Sequence, residues 1–340
     1  MKHAISCCLL GIGLTAAASG TYAETTLRLG HLWPAQSAVN KDLIEAWANQ
    51  VEEDAGGALD VEIYPSQTLS NASSAYESVV NGIADITVTL QGYTAGRFPL
   101  SEIVQLPGVS ASAPQGACIL QSLYEEGALG GEYADSHPLF FFTTGPAPLH
   151  TRDTDVQTPA DLEGLRIRTP SEVSSDMLES MGADPIGMPA PDIYTSLQRG
   201  VIDGLSLPWE AMKVFQVNEL VNHHLDIPYY TGALMAIMNR DAYEALSPKA
   251  REAIDANSGM DWAERAGEVF YRLDREGKAQ AREQGDTIHS VEDPLNDPQW
   301  SGPLKRGTER YLERLEERGI DNARAVYEQA LALRDGKCAL

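Results

Sequence analysis

The chain has 340 residues, of which 49 are acidic and 25 are basic, so its formal net charge at pH 7 is −24. This excess of negative charge argues against nucleic acid or an anionic membrane surface as a partner, and it favours solubility. The length is sufficient for two domains of ordinary size in addition to a leader.

The first 23 residues have the pattern of a secretory signal peptide. Lys2 and His3 precede an apolar stretch over residues 4–18, and small residues at Thr21 and Ala23 occupy the two positions that determine cleavage. The apolar stretch is shorter than the roughly 20 residues that a transmembrane helix needs. We therefore expect residues 1–23 to be removed on export and the mature protein to be free in the periplasm.

The segments that follow alternate between strand and helix patterns. Residues 27–31 alternate in polarity as a strand, a helical spacing follows as far as Gly56 and Gly57, and residues 61–64 form a second strand that ends at Pro65. An order of strand, helix and strand predicts a parallel sheet and an α/β fold.

A set of four residues at a helix-to-strand corner recurs 118 positions later in the chain, as the pairs Tyr76 and Tyr194, Gly82 and Gly200, Ile83 and Val201, and Asp85 and Asp203. In both copies a helical pattern ends at the glycine and a strand begins after the aspartate. The repetition predicts two related α/β lobes. We expect its tyrosines and aspartates to pack and cap these corners and not to contact a ligand.

Two long apolar segments are predicted to carry the chain between the lobes. Residues 138–144 form a buried strand that leads out of the first lobe, and residues 229–239 lead back into it. On this basis the first lobe comprises residues 24–143 and 236–270. The second lobe comprises residues 144–235 and 271–340.

Residues 165–170, Leu-Arg-Ile-Arg-Thr-Pro, alternate apolar and basic side chains before a proline. This pattern predicts a short strand with both arginines on one face. Arg168 then lies at the carboxyl end of the strand, where open α/β sheets bind their ligands. A guanidinium at that position can hold an anion through two parallel hydrogen bonds.

The order of features over residues 162–210 is specific. It includes Ile-Arg-x-Pro at residues 167–170, Tyr-x-x-Leu-Gln-x-Gly-Val-x-Asp-Gly at residues 194–204 and a final aromatic residue, Trp209. This order resembles the extracytoplasmic solute-binding proteins of TRAP transporters, the DctP type, and the resemblance covers nearly all of the mature chain. It implies a two-lobe periplasmic binding protein fold, with a ligand cleft between the lobes and a long helix that braces both.

The resemblance also implies a function. Such a protein captures a small organic acid by hinge closure and delivers it to the membrane subunits of a secondary transporter, without a cofactor. By position, Arg168 corresponds to the arginine that grips the ligand carboxylate, and Trp209 or Glu210 to a downstream specificity position. An Asn or His is common at that position in the family, so Trp-Glu departs from its pattern.

The C-terminal region is predicted to be helical. Ser247 and Pro248 are a favourable N-cap and first-turn pair for a helix that runs to about Gln284, with an alternative of two helices broken near Gly259 or Gly267. At about 1.5 Å per residue such a helix is longer than one lobe. After a loop at residues 290–303, a last helix is predicted over residues 304–334.

Removal of the leader leaves two cysteines, Cys118 and Cys338. In an oxidising compartment they can form one bridge that ties the C-terminus to the first lobe, or they can remain two separate thiols. The sequence leaves both alternatives open, because it contains no distance between the two Cα atoms.

Catalytic and metal-binding motifs are poor. The segment around Ser206 lacks the second glycine of a nucleophile elbow, and the sequence contains no HExxH, CxxC or Walker motif. His223, His224 and Asp226 are close in sequence, but adjacent residues point in different directions, which favours a surface over a metal site. We expect no metal and no enzymatic activity, and a secreted α/β enzyme is a distant alternative.

Residues from both lobes are candidates for ligand binding, namely Trp33, Gln91 and Tyr93 in the first lobe and Arg168, Trp209 and Glu210 in the second. If Glu210 faces away from the cleft, Arg168 is the only formal charge there and the ligand is a carboxylate. If Glu210 faces in, it can neutralise Arg168, and the aromatic residues can hold a small amine or zwitterion by cation–π contact. The carboxylate is favoured, mainly by the family resemblance.

Overall fold

The computed structural model describes residues 25–340, so the leader expected at residues 1–23 lies outside the described residues. The strands, in chain order, are β1 (Thr25–His31), β2 (Leu59–Tyr64), β3 (Ile86–Leu90), β4 (Ser136–Pro146), β5 (Leu149–Thr151), β6 (Arg166–Thr169), β7 (Asp184–Gly187), β8 (Gly204–Ser206), β9 (His223–Asp226), β10 (Thr231–Asn239) and β11 (Thr287–Ser290).

The α-helices, in chain order, are α1 (Ala46–Ala55), α2 (Ala75–Val80), α3 (Ala113–Glu125), α4 (Glu172–Met181), α5 (Ile193–Gln198), α6 (Trp209–Val214), α7 (Arg240–Ala245), α8 (Pro248–Ala256), α9 (Met260–Gln284), α10 (Ser301–Glu317) and α11 (Ala323–Asp335). Within residues 25–340, no helix combines the length and the hydropathy that a membrane span requires.

The strands form two sheets, which confirms the predicted two-lobe α/β fold. The first sheet has the order β2-β1-β3-β10-β4, in which β1 is parallel to β2 and β3 while β10 is antiparallel to both of its neighbours. The second sheet has the order β11-β9-β5-β8-β6-β7, in which β6 is parallel to β7 and β8. Parallel strands β6 and β8 end at the same edge, so this edge collects the residues of the candidate site.

The chain leaves the first sheet after β4 and returns to it through β10. All nine residues of β10 are buried, as expected for a strand with neighbours on both sides. The whole of β10 lies in the first sheet, so the lobe boundary drawn at residue 236 falls inside a strand. The division of the chain into lobes at the stated positions stays a prediction.

The two repeated corners have the same hydrogen bonds. Asp85 Oδ2 accepts from Nε of Arg28 at 2.9 Å, and Asp203 Oδ2 accepts from Nε of Arg166 at 2.9 Å. Each aspartate also accepts the backbone N–H of the same arginine. These aspartates therefore fasten the corners of the two sheets, in agreement with the role predicted from the repeat.

Residues 248–284 form two helices, so the prediction of one continuous helix was wrong and the alternative of a break near Gly259 is confirmed. Helix α8 ends at Ala256, and Gly259, with a φ of 75°, directly precedes α9. The 25-residue α9 still braces both parts of the fold. Its Phe270 packs against Phe142 of β4, and its Asp274 accepts the backbone N–H of Trp209 in α6 at 2.8 Å.

The C-terminal region contains two helices in place of the one predicted, and its cysteine forms the disulfide that the sequence left open. The last helix is divided into α10 and α11 at Gly319, which has a φ of 81°. Cys118 of α3 and Cys338 form a disulfide with a Cα–Cα distance of 5.7 Å. The C-terminus is therefore tied to a helix that packs on the first sheet.

Candidate ligand site between the two sheets

Arg168 is the penultimate residue of β6, near its carboxyl end, and is only 1% exposed. Its Nε donates to the backbone oxygen of Met188 and its Nη1 to that of Ser206, both at 2.9 Å, while Nη2 donates to the phenol oxygen of Tyr93 at 3.3 Å. A guanidinium has five N–H donors. Two of them are therefore left for a further acceptor.

Within residues 25–340, no carboxylate oxygen lies within 4.0 Å of a guanidinium nitrogen of Arg168, so Arg168 forms no ion pair there. Arg166, two residues earlier in the same strand, shows the usual arrangement: it pairs with Asp203 at 2.7 Å, and 43% of its side chain is exposed. A buried charge without a counter-ion is costly, because it has lost its hydration and gained no partner. Arg168 is therefore suited to an anion that comes from outside the chain.

Tyr93 connects the two sheets at the site. It belongs to the short turn Gln91–Tyr93 that follows β3 of the first sheet. Its phenol oxygen accepts the backbone N–H of Ala190 at 3.0 Å as well as the bond from Arg168. A hydroxyl accepts two hydrogen bonds and donates one. The hydroxyl hydrogen of Tyr93 consequently remains free to donate to a ligand oxygen.

A narrow cavity lies between the sheets and reaches both Tyr93 and Arg168. Most of the lining is apolar, and its aromatic members are Trp33, Tyr93, Phe215, Tyr230 and Phe270. Burial raises the pKa of Tyr230 to about 12, so this residue lines the cavity as a neutral phenol.

Trp33 occupies the place that the sequence predicted, on the cavity wall after β1. It is 3% exposed, and its ring meets the ring of Phe270 edge-on with the centroids 6.3 Å apart. Because Phe270 belongs to α9, the contact fixes the indole between the first sheet and the bracing helix. Trp33 therefore forms a rigid apolar wall.

Two of the predicted site residues lie outside this cavity. Trp209 is buried with its ring against those of His150 and His224, at centroid distances of 4.9 and 5.0 Å. It lines an outer groove beside α9 instead of the cavity. Gln91 is fully buried at the start of its turn, and its two amide atoms have no hydrogen-bond partner. The structure does not bring either residue into contact with the cavity.

Glu210 lines both the cavity and the outer groove, so it faces in. It is 8% exposed, its Oε2 is buried without a hydrogen-bond partner, and it forms no ion pair within residues 25–340. Burial, followed by repulsion from Asp274, raises the pKa of Glu210 well above its usual range. The charged form of Glu210 is therefore disfavoured, and the carboxyl forms no ion pair with Arg168 within residues 25–340.

Several lining residues were missed from the sequence. Thr144 and Tyr230 lie where β4 and β10 meet the cavity, and Phe215 follows α6. The available signal was that the crossing segments must pass beside any cleft between the lobes.

His223 and His224 do not form a metal site together, because His224 contacts Asp286 at 3.2 Å while His223 contacts Asp155 at 3.8 Å. In the part of the chain that the structure describes, no group of three potential ligands is placed to hold a metal.

Comparisons with known proteins show the family to which this chain is similar. Residues 29–300 match the family model described as bacterial extracellular solute-binding protein, family 7, DctP. The 2,3-diketo-L-gulonate-binding periplasmic protein YiaO of Escherichia coli (strain K12) is 26% identical over 255 residues, which are 71% of this chain and 74% of the relative.

Two solved structures are more similar. One is a marine metagenome TRAP solute-binding protein from an unidentified microbe, specific for aromatic acid ligands and bound to 3-hydroxybenzoate. It has 30% identity and a TM-score of 0.86, and the match covers 91% of this chain and 98% of the other. The second is a TRAP solute-binding protein from Rhodoferax ferrireducens T118 with copurified benzoate. It has 32% identity and a TM-score of 0.85, with 91% and 97% of the two chains covered.

Proposed function

The chain belongs to the bacterial extracellular solute-binding proteins of family 7 and is a TRAP-type solute-binding protein, and from this premise we propose that its ligand is a small aromatic monocarboxylate. The protein would capture this acid in the periplasm and deliver it to the membrane subunits of its transporter. It would return the ligand unchanged, as a binding protein does and an enzyme does not.

The observation that carries the proposal is the buried guanidinium of Arg168, which has no anionic partner and two free N–H groups. A carboxylate takes two parallel bonds from such a group, and these bonds are short and strong because both partners are charged. The free hydroxyl hydrogen of Tyr93 supplies a third donor beside it. An anion at this place removes the cost of the unpaired charge.

The amine alternative has no comparable support. Glu210 is the only carboxyl among the described residues that line the cavity, and burial raises its pKa well above the usual range, which disfavours its charged form. An ammonium group would therefore share the cavity with Arg168 and with a carboxyl that is difficult to ionise. Repulsion between two buried cations opposes binding of a simple amine.

The lining of the cavity favours an aromatic acid over a sugar acid. A sugar acid carries several hydroxyl groups, and each needs a hydrogen-bond partner when it is buried. This cavity presents mainly indole, phenyl and aliphatic surface, including Trp33, Phe215 and Phe270. A single aromatic ring buries its faces against such walls and adds stacking or edge contacts. The 3-hydroxybenzoate and benzoate of the two similar structures are acids of this kind.

Binding would proceed by closure of one lobe onto the other. The cavity takes its walls from both sheets, and Tyr93 reaches from the first sheet to Arg168 and Ala190 of the second. A ligand that contacts both sides stabilises the closed arrangement by its differential affinity for the two states. The free energy of ligand binding then drives the motion.

The test is calorimetric titration of the purified protein with benzoate, with Arg168→Lys and Arg168→Ala as variants. The lost charge-assisted bonds are worth about 1.5–3 kcal/mol, so Kd should rise by about 10- to 150-fold. Arg166→Ala is the matched control, because Arg166 shares β6 but is paired with Asp203 outside the cavity. Unchanged affinity in Arg168→Ala, stabilisation by amines alone, or steady conversion of the acid would contradict the proposal.

A further inference from the structure

Glu210 has an environment that the capture of a carboxylate does not explain. We infer that Glu210 is a second polar anchor in the cavity and selects aromatic monocarboxylates that carry a hydroxyl group. This inference rests on the proposed function and specifies the ligand class further. Arg168 would hold the ligand carboxylate, and Glu210 would hold the hydroxyl.

The position of Glu210 supports this role. It is the second residue of α6, and its side chain lines the same cavity as Arg168 without forming an ion pair with it. One carboxyl oxygen, Oε2, is buried and has no hydrogen-bond partner among residues 25–340. A buried polar atom without a partner is unfavourable, and a ligand group that pairs with it removes that cost. The residue is thus prepared for a partner that the chain itself does not supply.

The surroundings of Glu210 disfavour its charged form. Burial is the main cause of its raised pKa, and repulsion from Asp274 of α9, which accepts the backbone N–H of Trp209, adds to it. Among residues 25–340 no lysine pairs with Glu210, because Lys213 is exposed on the outer side of α6 and Lys278 is paired with Asp226. Burial beside another carboxyl favours the protonated form of a carboxyl group.

An uncharged carboxyl discriminates among ligand substituents. It has one O–H donor and acceptor oxygens, so it can both donate to and accept from a hydroxyl group. It offers no positive charge, and a second carboxylate on the ligand would therefore be buried without a counter-ion. The expected order of affinity is hydroxylated monoacid, then unsubstituted monoacid, then diacid.

Calorimetry of the wild type with benzoate, 3-hydroxybenzoate and benzene-1,3-dicarboxylate tests this order. One neutral hydrogen bond should make Kd for 3-hydroxybenzoate about five-fold lower than Kd for benzoate. Glu210→Leu should bring the ratio of these two constants to about 1, because leucine has no polar group. Glu210→Gln should keep the ratio, since an amide is also an uncharged donor and acceptor.

Lys213→Ala is the matched control, because Lys213 lies on the same helix but not on the cavity wall. Its ratio should equal that of the wild type. Retention of the preference in Glu210→Leu, its loss in Glu210→Gln, equal wild-type binding of benzoate and 3-hydroxybenzoate, or tight binding of the diacid would overturn the inference about Glu210 alone. Failure of the wild type to bind any of the three acids would overturn the aromatic-acid proposal and this inference together.

Discussion

The phenol oxygen of Tyr93 lies 3.3 Å from Nη2 of Arg168 and so joins the end of β3 in the first sheet to the end of β6 in the second. The same oxygen accepts the backbone N–H of Ala190. Both bonds exist only when the two sheets are close. In the proposed mechanism Tyr93 therefore belongs to the closed arrangement and also donates to the ligand.

Replacement of Tyr93 by phenylalanine should weaken benzoate binding about ten-fold. The variant loses one hydrogen bond to the ligand and leaves donors of Arg168 and Ala190 without an acceptor, at about 1 kcal/mol or somewhat more in total. The ligand-free melting temperature should change little, because the ring itself remains. Calorimetry and thermal melting measure the two quantities, and an unchanged Kd would exclude Tyr93 as a ligand donor.

Gly92→Ala should hold the lobes apart. A Cβ atom at this position would lie 2.6 Å from both the backbone oxygen of Pro170 and the Cβ of Ser171, which belong to the other side of the cleft. Such distances are far below van der Waals contact, so closure would be blocked. We expect at least a ten-fold rise in Kd and no decrease of the radius of gyration with benzoate in X-ray scattering.

The control for this variant is Gly187→Ala, since a Cβ at Gly187 meets no atom within 4 Å. That variant should bind and contract like the wild type. Normal contraction of Gly92→Ala with ligand would show that the two sides do not approach at this point when they close.

The sequence was sufficient to predict the features that depend on local periodicity. The alternation before Pro170 placed Arg168 at a strand end, and the patterns after β1 and β3 placed Trp33 and Tyr93 beside the cleft. Each of these predictions rested on a short stretch of the chain. The same stretches also included Gln91, which turns into the core, because a turn directs neighbouring side chains to different sides.

Features that depend on distant residues were not predictable in the same way. The pKa of Glu210 is raised by its burial and then by Asp274 on α9, and the lining of the cavity includes Tyr230 and Phe270 from later in the chain. A local pattern gives the period of an element but not which residues of a remote element face it. The break at Gly259 was ambiguous for another reason, since glycine inside a helical pattern is either tolerated or a stop.

A buried carboxyl makes the stability dependent on pH. Glu102 is 3% exposed, and burial, followed by repulsion from Glu172 and Glu132, raises its pKa from 4.5 to about 8. The folded state keeps this proton over a range in which the unfolded state releases it. The stability due to the proton is complete below pH 4.5 and is lost as the pH rises through about 8.

Glu102→Gln should therefore stabilise the protein at high pH relative to the wild type. The amide has the same shape and cannot ionise, and each unit of pKa difference corresponds to about 1.4 kcal/mol. The difference in melting temperature, variant minus wild type, should be more positive at pH 8.5 than at pH 5. A difference that is the same at both values would mean that Glu102 does not titrate in this range.

The disulfide between Cys118 and Cys338 should contribute to stability but not to affinity. It links positions 220 residues apart and lies on α3, away from the cavity lining. Loss of such a bridge removes a constraint on the unfolded chain and typically costs about 2–4 kcal/mol. Dithiothreitol should lower the melting temperature of the wild type and leave that of the variant with Cys118→Ser and Cys338→Ser unchanged. The Kd for benzoate should be similar in the wild type and in this double variant. A reductant effect on the double variant would point to a different cause.

A chain of hydrogen bonds links His150 to His224. Their Nδ1 atoms are 2.7 Å apart, His150 Nε2 lies 2.8 Å from the backbone oxygen of Leu207, and His224 Nε2 lies 3.2 Å from Oδ2 of Asp286. A carbonyl only accepts, so neutral His150 carries its proton on Nε2 and accepts at Nδ1 from His224. The Nε2 atom of neutral His224 would then present a lone pair to the carboxylate of Asp286, and two acceptors do not form a hydrogen bond. The contact therefore requires one additional proton, shared between His224 and Asp286.

Asp286→Asn tests this proton, because an amide can donate to neutral His224 but cannot stabilise its charged form. Burial already lowers the pKa of His224, while Asp286 opposes the shift, so the substitution should lower that pKa further. The unfolded chain takes up its proton near pH 6.5, before the folded one, and stability is lost as the pH falls below that value. The variant should match or exceed the wild type in melting temperature at pH 8 and fall below it at pH 5.5. His223 and Asp226 also lie near His224, and the Asp286→Asn variant leaves both of them in place.

The control is Asp155→Asn, which changes a more exposed contact between an aspartate and a histidine and should have a small effect on the melting temperature at both pH values. Equal losses at pH 8 and pH 5.5 in Asp286→Asn would show that the shared proton does not exist.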